Sequence, residues 1–406
     1  MSDTETHLKQ QQKNLRARAT LGEREQNHYR LYWDYTSPYS NKIRAYLNYK
    51  EIPYKLIQAT NHDYMNKIPE LVGMPIIPIL IAPDERVMQD STPIMAWFEN
   101  EYMEKPAIPD DPRLAWLMWL IEEFADEYML RIGMRLRWGN KMSLRTSSSR
   151  IARGFSYAEN TEMVQMVSQF VVERQVPITK TLPGLDREEY GQSVDRQFLD
   201  LLEILNAHLA EFGYLLGDRP SLADFGMFGP LWSFGLTEPV GQEILETKAP
   251  QVCNWLHEMA DFGDSRGCQG REEFGDWLDA DKELPETLVQ LAGLIAKTYL
   301  PAALGYRSAM VNEDENFTTD IYGVETQLSR FDFRAGTFAQ LQQRLARLDD
   351  SDRDWIEKAL EGTGLFPSLL EEIKPNPYFA DLTPPFVTDP EKNMKSYRYN
   401  RGDFGS

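Results

Sequence analysis

The sequence predicts an α/β domain at the front of the chain, an all-helical domain behind it, and a further, mostly helical module at the end. Two observations carry this. Between residues 29 and 104, short apolar runs and one-faced helical patterns follow one another in the order βαβ, then ββα. From residue 108 onward, apolar residues recur mainly at helical spacing. With 406 residues, 42% apolar and 26% charged, the chain can build two or three cores.

Residues 1–28 are rich in Gln, Glu and Arg and read as a polar, flexible arm. Tyr29 to Trp33 reads as a strand. Lys42 to Lys50 reads as a helix with Ile43, Tyr46 and Leu47 on one face. The turn between them, Asp34-Tyr35-Thr36-Ser37-Pro38-Tyr39-Ser40-Asn41, delivers a hydroxyl residue and a proline to a helix start. The free N–H groups and positive dipole end there suit an anion, a thiolate included. A serine at such a start is equally an ordinary N-cap. Strands Tyr54 to Ile57, Ile79 to Ile81 and Arg86 to Met88 follow, and Gln89-Asp90-Ser91 opens a helix carrying Ile94, Trp97 and Phe98. Residues 101–110 form a proline-containing linker.

Asp111-Pro112 is an N-cap followed by proline at the first helical position, and the helix it opens is expected to run to about Trp138. Trp116, Trp119, Tyr128 and Met129 on it could line an apolar pocket or simply be core. From Arg131 to Arg153 there are seven Lys or Arg residues and no acid. A solvated loop is the plain reading, and an anion site is the sharper one. Helical patterns resume at 161–174 and 194–212. Ser221-Leu222-Ala223-Asp224 reads as a capping box, and Gly226, Gly229 and Pro230 should kink or stop the helix that it opens. Val252 to Met259 closes this domain, 108–265. The Gly- and acid-rich stretch 262–286 reads as a boundary. Residues 284–371 form the last module: a helix at 284–300, one or two strands within 317–333, and helices at 338–348 and 352–360. The tail, 372–406, is expected to be irregular.

Net charge is −20, which argues against a nucleic-acid partner. Two cysteines exclude a disulfide framework and suit a reducing compartment. Five histidines show no zinc-site spacing, so no metal is expected. No stretch approaches the roughly 18 apolar residues of a membrane span, and the first residues lack an apolar signal core; a cytoplasmic protein without membrane attachment is expected.

Ser37-Pro38-Tyr39-Ser40, then Asn41 and Lys42, resembles the Cys-Pro-Tyr-Cys-x-Lys site of glutaredoxins with both cysteines replaced by serine. Serine in the first position resembles the serine-type glutathione S-transferases. Ile77-Pro78 before the third strand, Asp90-Ser91 at a helix start and the Gly217 to Asp224 capping signature extend the resemblance over two domains. The overall layout is similar to large bacterial members with a C-terminal extension. The resemblance implies a thioredoxin-like N-terminal domain and a helical C-terminal domain. It implies that Ser37 donates a hydrogen bond to the sulfur of glutathione as co-substrate, with Tyr35, Tyr39 and Ser40 as nearby alternatives. It implies a cis Pro78, with the Ile77 backbone pairing the cysteinyl part of glutathione. Asp90 and Ser91 would hold the γ-glutamyl arm, and Lys67 is a weak candidate for the glycine carboxylate. A small apolar electrophile and a homodimer are further implications. The same family pattern also accommodates a glutathione-dependent isomerase or peroxidase, or a non-catalytic scaffold.

Overall fold

A computed structural model of the protein describes residues 28–156, 161–179, 187–260, 262, 274–370 and 385–397. The polar arm, except His28, and residues 263–273 of the acid-rich boundary lie outside the described residues.

The first domain is a four-stranded sheet, order β2-β1-β3-β4, built from β1 (Tyr29–Trp33), β2 (Tyr54–Gln58), β3 (Ile79–Ile81) and β4 (Val87–Gln89). β1 and β2 run parallel, while β3 is antiparallel to both β1 and β4. The last strand lies one residue beyond its expected position. Helix α1 (Pro38–Tyr49) crosses between β1 and β2, and Ile43, Tyr46 and Leu47 are fully buried, as their spacing predicts. A π-helical turn, Asp63–Lys67, leads into the short α2 (Ile68–Val72). Helix α3 (Ser91–Glu101) starts at an Asp90 N-cap.

In the second domain the expected single helix 112–138 is two: α4 (Pro112–Glu127) and α5 (Met129–Trp138), interrupted at Tyr128, whose φ is −108°. The basic stretch is likewise no loop. It forms α5 and α6 (Lys141–Ser156), and Arg131 and Arg137 are each only 5% exposed. α7 (Thr161–Ile178) packs on α6, and α8 (Glu188–His208) follows. The buried helix α9 (Leu222–Pro230) contacts both α4 and α1. Its capping box is present: the Asp224 carboxylate accepts from Ser221 N (2.8 Å), Ser221 Oγ (2.7 Å) and Leu215 N (2.9 Å). The α-helix ends at Pro230 and passes into a π-helical turn, Leu231–Leu236, as a proline in the ladder dictates. A Cβ on Gly229 would lie 2.6 Å from Pro38 O, so glycine lets α9 meet the start of α1. α10 (Pro239–Lys248) and α11 (Pro250–Ala260) complete the domain.

The C-terminal module opens with α12 (Glu286–Asn312), which contacts α8, followed by hairpin β5 (Asn316–Ile321) and β6 (Val324–Ser329). Both turn residues have positive φ, 56° at Tyr322 and 76° at Gly323, which fits a tight two-residue hairpin. α13 (Asp332–Ala346), α14 (Asp350–Ala359) and α15 (Phe366–Leu369) follow, and α13 and α14 pack on α4. The four residues weighed as a pocket lining are buried, and this module covers two of them. Trp116 Nε1 donates to Leu341 O (3.4 Å), and the Arg344 guanidinium lies 3.7 Å from the Trp119 ring centroid. Trp116, Trp119, Tyr128 and Met129 are core.

By length and composition α12 could cross a membrane, which corrects the expectation that no stretch approaches a span. It is nevertheless packed as a core helix, with Leu291, Ile295, Tyr299 and Ala303 buried. The tail also departs from expectation. Residues 385–387 pair with the free edge of β4: Gln89 N donates to Pro385 O (2.9 Å) and Val387 N to Val87 O (2.8 Å). Phe386 packs edge-on against Trp97, and the chain continues as α16 (Pro390–Tyr397) beside α2. An unpaired edge strand is a liability, and here the chain covers its own.

Candidate glutathione site

Sheet topology gathers the sequence-predicted residues. Tyr32, Ile79 and Gln89 lie in one register row, and Trp33 is opposite Gln58. The C-terminal ends of β1, β2 and β4 and the N-terminal end of the antiparallel β3 therefore share one end of the sheet. Ser37 follows β1, the cis Ile77–Pro78 bond precedes β3, and Asp90-Ser91 follows β4. Residues up to 54 positions apart in sequence thus arrive at one edge. Lys67 leaves the same end after β2; it is exposed, with its ammonium 5.3 Å from the Tyr32 ring centroid.

The loop that carries Ser37 is tied down on every side. Asp34 is buried; its Oδ1 accepts from Thr36 N (2.8 Å) and from the Thr36 hydroxyl, and its Oδ2 from Gln58 Nε2 (2.6 Å). Asn41 Nδ2 donates to Tyr35 O (2.8 Å) and Ser233 Oγ (2.9 Å). Arg137 Nη2 donates to Thr36 O (2.8 Å) and Ser233 O (2.9 Å), while its Nε is held by Glu238 Oε1 (2.7 Å). The arginine read as a possible anion ligand is thus a brace for the loop.

Ser37 is the N-cap of α1. Its Oγ accepts from Ser40 N at 3.3 Å, and Pro38 occupies the first turn. That contact uses a lone pair and leaves the hydroxyl proton to donate elsewhere. The three alternatives differ from it in setting. Ser40 is 0% exposed, with its hydroxyl accepting from Asp34 N (3.5 Å). Tyr39 OH donates to Asp126 O (2.9 Å). The Tyr35 phenol is pushed up to about 12, chiefly by burial and then by Asp34.

Asp90 accepts from Thr92 N at 3.3 Å and has φ 73°. Burial, with Asp126 next in weight, pushes its carboxyl up to about 6. Ser91 is buried, and its hydroxyl donates to Asp126 Oδ2 at 3.4 Å. Behind both lies a buried network that the sequence reading missed. Lys42, the lysine of the α1 motif, is 0% exposed and donates to Glu122 Oε1 (2.6 Å), Asp126 Oδ2 (2.6 Å) and Thr92 Oγ1 (3.0 Å). Burial pulls the Lys42 ammonium downward, but Asp126 and Glu122 outweigh it and hold the group above the ordinary lysine value. Glu122 is shifted up by burial despite Lys42, since one ammonium faces two carboxylates. The only sequence signal for this network was a lysine beside Ile43 in the first turns of the helix. Among the described residues no cluster of three His, Cys, Asp or Glu is placed to hold a metal.

The family model for the glutathione S-transferase N-terminal domain matches residues 31–106, and that for the C-terminal domain matches residues 171–258. Both matches are to glutathione S-transferase domains. Residues 107–170 and 259–406 lie outside both matches. Glutathione S-transferase U1 of Arabidopsis thaliana is 26% identical over 105 residues, 25% of this chain and 45% of that protein, so the match spans less than half of the relative. Among solved structures, a beta-etherase from Sphingobium sp. strain SYK-6 is 20% identical, with 57% of this chain and 94% of the other covered and a TM-score of 0.41. A glutathione S-transferase from Methylobacillus flagellatus KT, solved with glutathione bound, is 18% identical, with 58% and 98% covered and a TM-score of 0.37. The small mixed sheet is the thioredoxin-like N-terminal domain, the helices α4 to α11 form the C-terminal domain, and the module after residue 260 is additional to both.

Proposed function

We propose that the protein is a glutathione-dependent transferase that stabilises the thiolate of bound glutathione and directs it at a small electrophile, in the cytoplasm and as a homodimer. The observation that carries the reading is Ser37: an N-cap hydroxyl at a helix start, braced by Arg137 and Asn41, at the sheet end where the cis-Pro78 peptide and Asp90-Ser91 converge. A free thiol has a pKa of about 8.5. Lowering it by about two units takes about 2.7 kcal/mol. A hydroxyl hydrogen bond to the anion gives about 1.5–3 kcal/mol, and a helix terminus adds about 0.3–2 kcal/mol. Together they suffice without a general base or a metal.

In this reading Asp90 faces the γ-glutamyl ammonium, and the N–H groups that open α3 face the α-carboxylate. Ser91 would contribute its backbone, since its hydroxyl is engaged by Asp126. The Ile77 backbone pairs the cysteinyl unit, and Lys67 is the nearest candidate for the glycine carboxylate. The thiolate sulfur then forms a C–S bond as the electrophile's leaving group or π-electron pair departs. The test is the ultraviolet signature of the bound thiolate as a function of pH. Wild type should show a thiolate pKa well below that of free glutathione, and Ser37→Ala should bring it back up. A bound but unshifted thiol in wild type would leave a binding protein rather than a transferase.

A further inference from the structure

Where the C-terminal module meets the break between α4 and α5 there is a small cavity lined by Glu127, Tyr128, Arg131, Tyr299, Tyr306 and Arg334, with Ala302 and Ala303. It offers about 10 Å³ to the centre of a water-sized occupant, the room that one such particle takes. Arg131 is 5% exposed, and its guanidinium leans on the Tyr128 ring at 5.0 Å. Among the described residues no carboxylate lies within ion-pairing distance of it, although Arg135, Arg137 and Arg334 each have one.

The lining acid is already taken: Arg334 Nε holds Glu127 Oε2 at 3.2 Å, and its Nη1 donates to Tyr306 OH at 2.8 Å. That contact leaves the Tyr306 proton free to donate into the cavity. Glu123, the next acid, is bonded to Tyr299 OH at 2.7 Å, and burial and Glu127 push its carboxyl well up, toward the neutral form. With Glu127 ionised, the three charged lining groups sum to one positive charge. Burial also pushes Glu127 up to about 7, so that sum is a lower bound near neutral pH. Arginine does not shed its proton, and a buried cation without a counter-charge is among the costliest arrangements in a protein. A water would satisfy the N–H groups but leave the charge.

We infer that this cavity is a site for a chloride-sized monovalent anion, held by Arg131, Arg334 and the Tyr306 hydroxyl, which fastens the C-terminal module to the helical domain. It does not depend on the glutathione reading. Bromide is the probe. Crystals of the full chain grown without chloride and soaked in sodium bromide should show one anomalous peak in the cavity, within hydrogen-bond reach of Arg131. In solution, melting should shift upward by a few degrees with sodium chloride relative to sodium gluconate at equal ionic strength, in a saturable way. Arg131→Gln should lose both signals, and Arg131→Lys, which keeps the charge, should retain them. If the glutamine variant does not fold, wild type and the lysine variant still decide. A cavity holding only water, a bromide peak that survives in Arg131→Gln, or a peak with chloride-insensitive melting (binding at crystal concentration only) would each overturn the proposal.

Discussion

The Ser37 oxygen can serve two partners at once: a lone pair caps α1 through Ser40 N, and its proton remains for a sulfur. Removing it should therefore show two effects of different size. Ser37→Ala is expected to lower kcat by about 10- to 100-fold, the worth of one charge-assisted hydrogen bond, with glutathione affinity changed by less. It should also cost about 1 kcal/mol of stability as a lost cap. Steady-state kinetics and denaturant unfolding check the two separately; unchanged turnover would move the role to Tyr35 or Tyr39. Asp90 makes a prediction in pH. Its carboxyl titrates at about 6 in the free protein because of burial and Asp126. Only the anion pairs with an ammonium, so glutathione affinity should be level above about pH 7 and weaken as pH falls through about 6. Binding measured from pH 5 to 8 tests this, and in Asp90→Asn the dependence should vanish. A wild-type affinity flat across that range contradicts the assignment.

Helices α1, α3 and α4 are locked together by the Lys42 cluster, so the two domains meet through buried charge as well as apolar contact. Removing the cation alone leaves Glu122 and Asp126 facing each other in the interior. Lys42→Ala should lower stability by about 3–5 kcal/mol in denaturant titrations; a loss under 1 kcal/mol would mean that the two acids are neutral without it. The strand formed by residues 385–387 offers a second check. Truncation after residue 384 strips the Gln89 N–H of its backbone acceptor, Pro385 O. Amide exchange at Gln89 should then accelerate strongly, while exchange in the β1–β3 ladder changes little. Equal protection in both chains would show that the edge does not rely on the tail. That tail contact was invisible in the sequence, because Pro- and Asn-rich composition reports local preference and says nothing about a distant strand edge waiting for a partner. The α4–α5 break was equally hidden. Leu117, Ile121, Phe124 and Tyr128 keep helical spacing up to the interruption, and no glycine or proline marks it.

Across the whole chain, what could be read in advance was what local chemistry decides: the N-caps, the capping box, the proline stops and the one-faced helices. The convergence of Ser37, Pro78 and Asp90 was readable only through a family resemblance, since spacing alone does not reveal a sheet's strand order. The buried arginines were misjudged for a physical reason. Seven cations without an acid look solvated in sequence, yet Arg137 finds Glu238 and backbone carbonyls, and Arg131 a cavity. The C-terminal module changes the character of the helical domain by covering Trp116 and Trp119. The direct test of the account is isothermal titration of the full chain with reduced glutathione, run beside Asp90→Ala. The account predicts a dissociation constant in the micromolar to low-millimolar range, weakened by about tenfold or more in the variant, as expected for a lost charged hydrogen bond. No heat at millimolar glutathione with a folded wild-type protein would contradict it.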